Sequence, residues 1–144
     1  MAETLVAPDA VALSIAWLAQ ELPDMPDQTP VTVTRAVPNP RPPTFVTVRL
    51  IGGEGRNGSN VPLDRPQVAI EAWAQTPAQA HDLAQNARAV MHAARGVVHA
   101  GTQVYRVEEM GAPVDLPDPL SHQPRVTFSL LLTVRIRRPQ GMTP

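Results

Sequence analysis

The chain has no lysine and no cysteine; all twelve of its basic side chains are arginine. Without lysine there is no phosphate-loop ammonium for a triphosphate and no Schiff-base nucleophile. Without cysteine there is no thiolate nucleophile, no disulfide and no thiolate metal ligand. A missing residue type leaves the redox compartment unread. Aromatics are scarce, at 3% of residues: Trp17, Trp73, Phe45, Phe128 and Tyr105. A core must therefore come from Val, Leu, Ile and Ala. The bias to arginine and alanine is the composition of a GC-rich genome.

Excess charge of one sign is also lacking. The formal net charge is −1 and the pI is about 6.4, whereas a dedicated nucleic-acid-binding domain usually has a pI above ~9. The one dense basic run is Arg135, Arg137 and Arg138. The opening residues M-A-E-T-L-V-A-P-D carry neither a basic nor an apolar signal region. No apolar run approaches the ~20 residues of a membrane span. These features lead us to expect a soluble protein made in the cytosol, with no membrane partner.

Proline is abundant, with 17 in 144 residues, but it is clustered. It leaves proline-free windows that each carry a hydrophobic period, so it acts as punctuation between elements. Residues 9–22 read as a helix capped by Asp9, with Val11, Ile15, Leu18 and Leu22 on one face. Residues 31–37 and 44–51 alternate as strands. Residues 67–75 form a third, with Val68, Ile70, Ala72 and Ala74 on one side and Gln67, Glu71 and Trp73 on the other. Thr76, Pro77 and Gln79 make a capping box for a helix over 77–95 that Gly96 ends. Residues 102–109 and 125–137 complete the strands.

The order α-β-β-β-α-β-β predicts an α+β fold, a mainly antiparallel sheet with helices on one face. The whole chain, 1–144, reads as one domain, with long loops at 52–65 and 111–124 and a flexible tail at 138–144. The last strand would span roughly 43 Å if straight, against a domain diameter of about 38 Å. It must bend, or its end must overhang as an edge that another chain can join.

Sites of chemistry are hard to assemble from this sequence. The glycine-rich stretch 52–65 lacks Gly-Lys-Ser/Thr and leads into Pro66 and a strand, not into the helix N-terminus that phosphate loops need. His81 and His92 are about 16 Å apart along one helix and cannot share a metal. Ser121–His122 lacks a nucleophile elbow. Asp115 and Asp118 lie in a proline-rich loop that gives no burial to shift a pKa. We therefore expect no catalytic residue, no cofactor and no metal. The helix stripe His81, Gln85, Arg88, His92 and Arg95 reads as a solvated face, or alternatively a docking face. Glu71 and Trp73 point away from the apolar side of their strand. Trp73 is then either an exposed interface anchor or a residue beneath a second layer or loop.

Several segments resemble, in order over about residues 40–137, the tail terminator proteins of long-tailed (siphovirus-type) bacteriophages, especially those of high-GC actinobacterial hosts. They are F-V-T-V-R-L-I-G-G, a loop ending L-D-R-P, V-A-I-E-A-W-A, A-Q-A-H-D-L-A-Q-N-A-R-A-V-M-H-A, V-Y-R-V-E-E-M-G-A-P, L-P-D-P and P-R-V-T-F-S-L-L-L-T-V-R. The resemblance implies a structural virion protein at the tail–neck junction. Such a protein would form a hexameric ring on the head-proximal end of the tail tube, stop tube polymerisation and offer the surface that the head joins. Its partners would be copies of itself, the major tail tube protein and a head–tail connector or stopper. Genome DNA would pass through the lumen without specific binding. The alternatives are another connector component, such as a stopper or head-completion protein, or a small-ligand-binding α+β domain with the 52–65 loop as a lid. A ring needs two different faces on each subunit. One is expected on the last strand and the other near Trp73 and the 52–65 loop, with Arg49, Arg56, Asp64, Arg65, Glu71, Trp73, Arg135 and Arg137 as the interface residues.

Overall fold

The computed structural model describes residues 4–57 and 61–137; the expected tail at 138–144 lies outside them. Helix α1 (Ala10–Glu21) starts where the Asp9 carboxylate accepts the Ala12 N–H at 3.0 Å. It stops before Pro23, which cannot continue it. Helix α2 (Pro77–His92) starts with the Thr76 hydroxyl accepting the Gln79 N–H at 3.2 Å and proline in its first turn. It ends before Gly96, and the turn that follows docks on the sheet through the Gly96 N–H and the Val104 carbonyl.

The strands are β1 (Thr32–Thr34), β2 (Phe45–Arg56), β3 (Leu63–Trp73), β4 (Val98–His99), β5 (Thr102–Asp115) and β6 (Arg125–Arg135). They form one six-stranded sheet in the order β1-β2-β3-β6-β5-β4. The fold is α+β. The sheet is mixed, because β1 runs parallel to β2 while the other neighbours are antiparallel. The short β4 is an element absent from the sequence-based order.

Both helices cover the same face. Val46, Val48, Val68, Ile70, Ala72, Phe128, Leu130 and Leu132 form one buried cluster with Leu13 and Leu18 of α1 and Ala80, Leu83, Ala84 and Ala87 of α2. The α2 alanines let its backbone lie close to the sheet. The Trp17 indole N–H donates to the Val90 carbonyl at 2.7 Å and ties the helices together.

Three expectations need correction. Residues 52–56 are not loop but the continuation of β2, and 63–65 open β3. Glycine is depleted in regular strands, which hides this in the sequence. Here Gly53 and Gly55 sit at register shifts with positive φ, the conformations that bulges require. A Cβ on Gly53 would stand 2.2 Å from the Arg65 carbonyl oxygen.

Similarly, β5 runs on to Asp115, which shortens the loop before β6 to 116–124. That loop closes on itself through the Asp118 and Gln123 backbone and the His122 N–H to the Asp118 carbonyl.

Third, the last strand does not overhang. It lies between β3 and β5, and beyond its end Arg137 exchanges backbone hydrogen bonds with Val6. Alternation along β6 says which residues share a face; it does not say which strands flank them.

Candidate functional site

The face of the sheet opposite the helices carries most of the residues expected at an interface, and it gathers them into two clusters. The first lies where β2 starts and β3 ends, around Glu71. Glu71 is only 8% exposed. Its carboxylate meets Arg125 Nη1 at 3.2 Å and Arg49 Nε at 3.7 Å, and accepts the Thr47 hydroxyl at 3.4 Å. Burying a carboxylate costs free energy unless it is paired and hydrogen-bonded, and these three partners offset that cost.

Trp73 is 4% exposed and is not a surface anchor. Its cross-strand partner Phe45 stacks on it at 5.1 Å between ring centroids. The guanidiniums of Arg125 and Arg41 lie 4.9 Å and 5.4 Å from its ring centroid. Arg41 also donates to Ser121 Oγ at 3.1 Å and Gln123 Oε1 at 2.8 Å, which straps the 116–124 loop beside the ring. The arrangement is thus the second of the two readings for Trp73, a residue beneath a loop.

The second cluster centres on Arg65, about 20 Å along β3 from Glu71 at the usual strand rise. Arg65 is a three-way tie. Its Nε meets Glu54 of β2 at 2.8 Å, its Nη2 meets Glu108 of β5 at 2.9 Å, and its Nη1 donates to Thr133 Oγ1 of β6 at 2.8 Å. These hydrogen bonds, that to Glu54 foremost, raise its pKa above the ordinary arginine value. Arg56 and Asp64 are cross-strand partners at the same end but on the helix-side face, in the row of Val134, and Arg56 also donates to the Leu5 carbonyl at 3.3 Å. Arg135 is exposed at the end of β6. Arg137 is apart from both clusters, at the cleft lined by Pro8, Asp9 and Thr102.

The structure therefore brings Arg49, Glu71 and Trp73 together on this face, with Arg65 farther along it; Arg56 and Asp64 pair beside Arg65 but on the helix-side face, in the row of Val134. It does not join the two groups. Sequence reasoning missed Arg41, Arg125, Glu54 and Glu108, whose partners are distant in the chain. The one available signal was alternation: Arg125 is in step with Thr127 and Ser129 on the polar side of β6.

On the helix side, the α2 stripe is partly engaged. Arg88 forms a two-point ion pair with Glu109 of β5. That guanidinium is the main reason the Glu109 carboxyl titrates below the ordinary glutamate value. His99 packs edge-on against Trp17.

Among the described residues, no group of three or more acidic or histidine side chains could hold a metal, and no helix is long and apolar enough to cross a membrane. An apolar cavity lined by Leu13, Trp17 and Met91 holds about 10 Å³, room for one water at most.

No protein-family model matches the chain, and no curated protein matches its sequence.

Proposed function

We propose that this chain is a structural subunit that assembles with copies of itself, and that it acts as a tail terminator at the neck of a long-tailed bacteriophage. The reading rests on the ordered resemblance over about residues 40–137. The observation that carries its physical side is the charge-neutralised polar face. Arg49 and Arg125 are spent on Glu71, and Arg65 is spent on Glu54 and Glu108. A duplex sliding past such a face meets few free cations, so it would not be held by the counterion release that makes basic surfaces sticky. On this reading the protein is a virion component, its partners are the tail tube protein and the head–tail connector, and the chain does no chemistry.

The test is electron microscopy of the purified protein with and without purified tail tubes. A ring seated on the head-proximal end of the tube, with tube growth arrested, is the expected result. Binding to the portal side of the connector instead would assign the chain to a stopper or head-completion role. A monomer that leaves tube growth unchanged would overturn the neck assignment.

A further inference from the structure

The outermost strands β1 and β4 are short and cover only part of β2 and β5. β1 pairs with β2 at Phe45, Val46 and Thr47 alone. β4 pairs with β5 at Thr102 and Gln103 alone. The remaining reaches, 48–56 of β2 and 105–115 of β5, have no further strand on their outer side among the described residues; the Val104 backbone is already bonded to Gly96 and Val97. Unpaired strand edges are templates for another chain. Both reaches also expose apolar side chains: Leu50 at 57% and Ile51 at 40% on β2, Met110 and Val114 at 54% each on β5.

We propose that copies of this chain join head to tail by antiparallel pairing of the free reach of β2 on one subunit with the free reach of β5 on the next. The proposal builds on the self-assembling role above and gives that role its surface. Three observations select a second copy as the occupant.

The first is direction. From β2 through β3 and β6 to β5 the strands alternate at every step, so β2 and β5 run in opposite directions. A neighbour rotated about an axis along the strands presents its β2 antiparallel to the first subunit's β5, and the alternation continues across the joint.

The second is height in the sheet. Arg56, Asp64, Val134 and Val104 share one row, and Leu50, Val68, Leu130 and Glu109 share another. The two free reaches therefore stand level with each other. β1 lies at one end of this window and β4 at the other, so neither blocks it.

The third is charge. The β2 reach carries Arg49 and Arg56 with Glu54, the β5 reach Glu108, Glu109 and Asp115 with Arg106; Arg49, Glu54, Glu108 and Glu109 are already paired within the subunit, so only the residual balance acts across the joint. Opposite balances face each other in a β2–β5 joint, whereas a β5–β5 joint sets acid against acid.

Register shifts interrupt β2 between Leu50 and Gly55, and β5 between Val104 and Arg106 and again between Glu109 and Val114. They confine regular pairing to a short stretch around Leu50 and Glu109, and they bend both strands. A short, bent joint suits closure into a ring and disfavours open-ended stacking, and a contact between two different edges is heterologous by construction.

The experiment uses the absence of native cysteine. Leu50→Cys and Met110→Cys both fall on exposed side chains, so the fold tolerates them. Oxidation of the double variant should give a ladder from dimer up to a closed multimer that dithiothreitol collapses to monomer. Each single variant alone should stay monomeric on a non-reducing gel, and an equal mixture of the two singles should stop at dimer. A single variant that dimerises efficiently would overturn the head-to-tail joint. Rings visible by microscopy without a ladder would overturn the edge pairing and leave the ring reading standing. A ladder from a protein that does not cap tubes would keep the pairing and remove the tail role. No ladder and no ring would overturn the pairing outright.

Discussion

The indole N–H of Trp73 donates to the hydroxyl of Thr47 on the neighbouring strand at 3.0 Å. The same hydroxyl donates onward to the Glu71 carboxylate. One small side chain thus satisfies a buried donor and a buried charge together. Thr47→Val keeps the shape and removes both bonds, leaving the indole N–H unpaired. It should cost about 1–3 kcal/mol, read as a lower urea midpoint by tryptophan fluorescence. Thr47→Ser should retain most of that stability. Equal losses in the two variants would mean that the methyl group matters and the hydroxyl does not.

Trp73 is a core residue on the face away from the helices, so its truncation reads out folding and not assembly. Trp73→Ala should lose about 3–5 kcal/mol, measured by chemical denaturation at a concentration where the chain is monomeric. A fully stable Trp73→Ala with weakened assembly would return the residue to the surface.

Of the two arginines on Glu71, Arg125 should matter more. Its side chain is 15% exposed, against 62% for Arg49. Arg125→Ala leaves a buried carboxylate short of its main partner and its cation over Trp73, and should cost about 1.5–3 kcal/mol. Arg49→Ala should stay within ~1 kcal/mol, as for other solvent-screened pairs. Matched denaturation curves of the two variants decide the order.

Asp9 and Glu109 are among the carboxyls that tie stability to acid, with Asp27 and Asp118. The Arg88 guanidinium lowers the Glu109 pKa, and the backbone N–H of Ala12 lowers that of Asp9. A carboxyl whose folded pKa lies below its unfolded one contributes fully above the unfolded value, ~4.3 for glutamate and ~3.9 for aspartate. That contribution is lost as pH falls through the folded value. The melting temperature should therefore drop on acidification below about pH 4.5, and Glu109→Gln should flatten part of that drop. An unchanged slope in the variant would remove Glu109 from the acid response.

Gly53 stands at φ +134° with the Arg65 carbonyl against its α-carbon. Gly53→Ala should destabilise the chain by at least the ~1–3 kcal/mol of a strained backbone, seen as a lower melting temperature. Gly52→Ala has open space around the new methyl group and should cost less. Equal shifts would deny the close approach at Gly53.

The sequence by itself determined the elements and their inner faces. Asp9 and Thr76 start the helices, proline separates the windows, and the Val126, Phe128, Leu130, Leu132, Val134 alternation marks the buried side of β6. Each of these signals is local, set by capping geometry or by the two-residue period of a strand. Tertiary structure alone decided the rest. Alternation does not name a strand's neighbours, so only the fold set β6 between β3 and β5 and left β2 and β5 only partly covered by the short β1 and β4. It alone turned a glycine-rich stretch into bulged strand, because the Arg65 backbone had to come close. Likewise it buried Trp73 and Glu71 on the polar side, since Phe45, Arg41 and Arg125 reach them from 26 or more residues away in the chain.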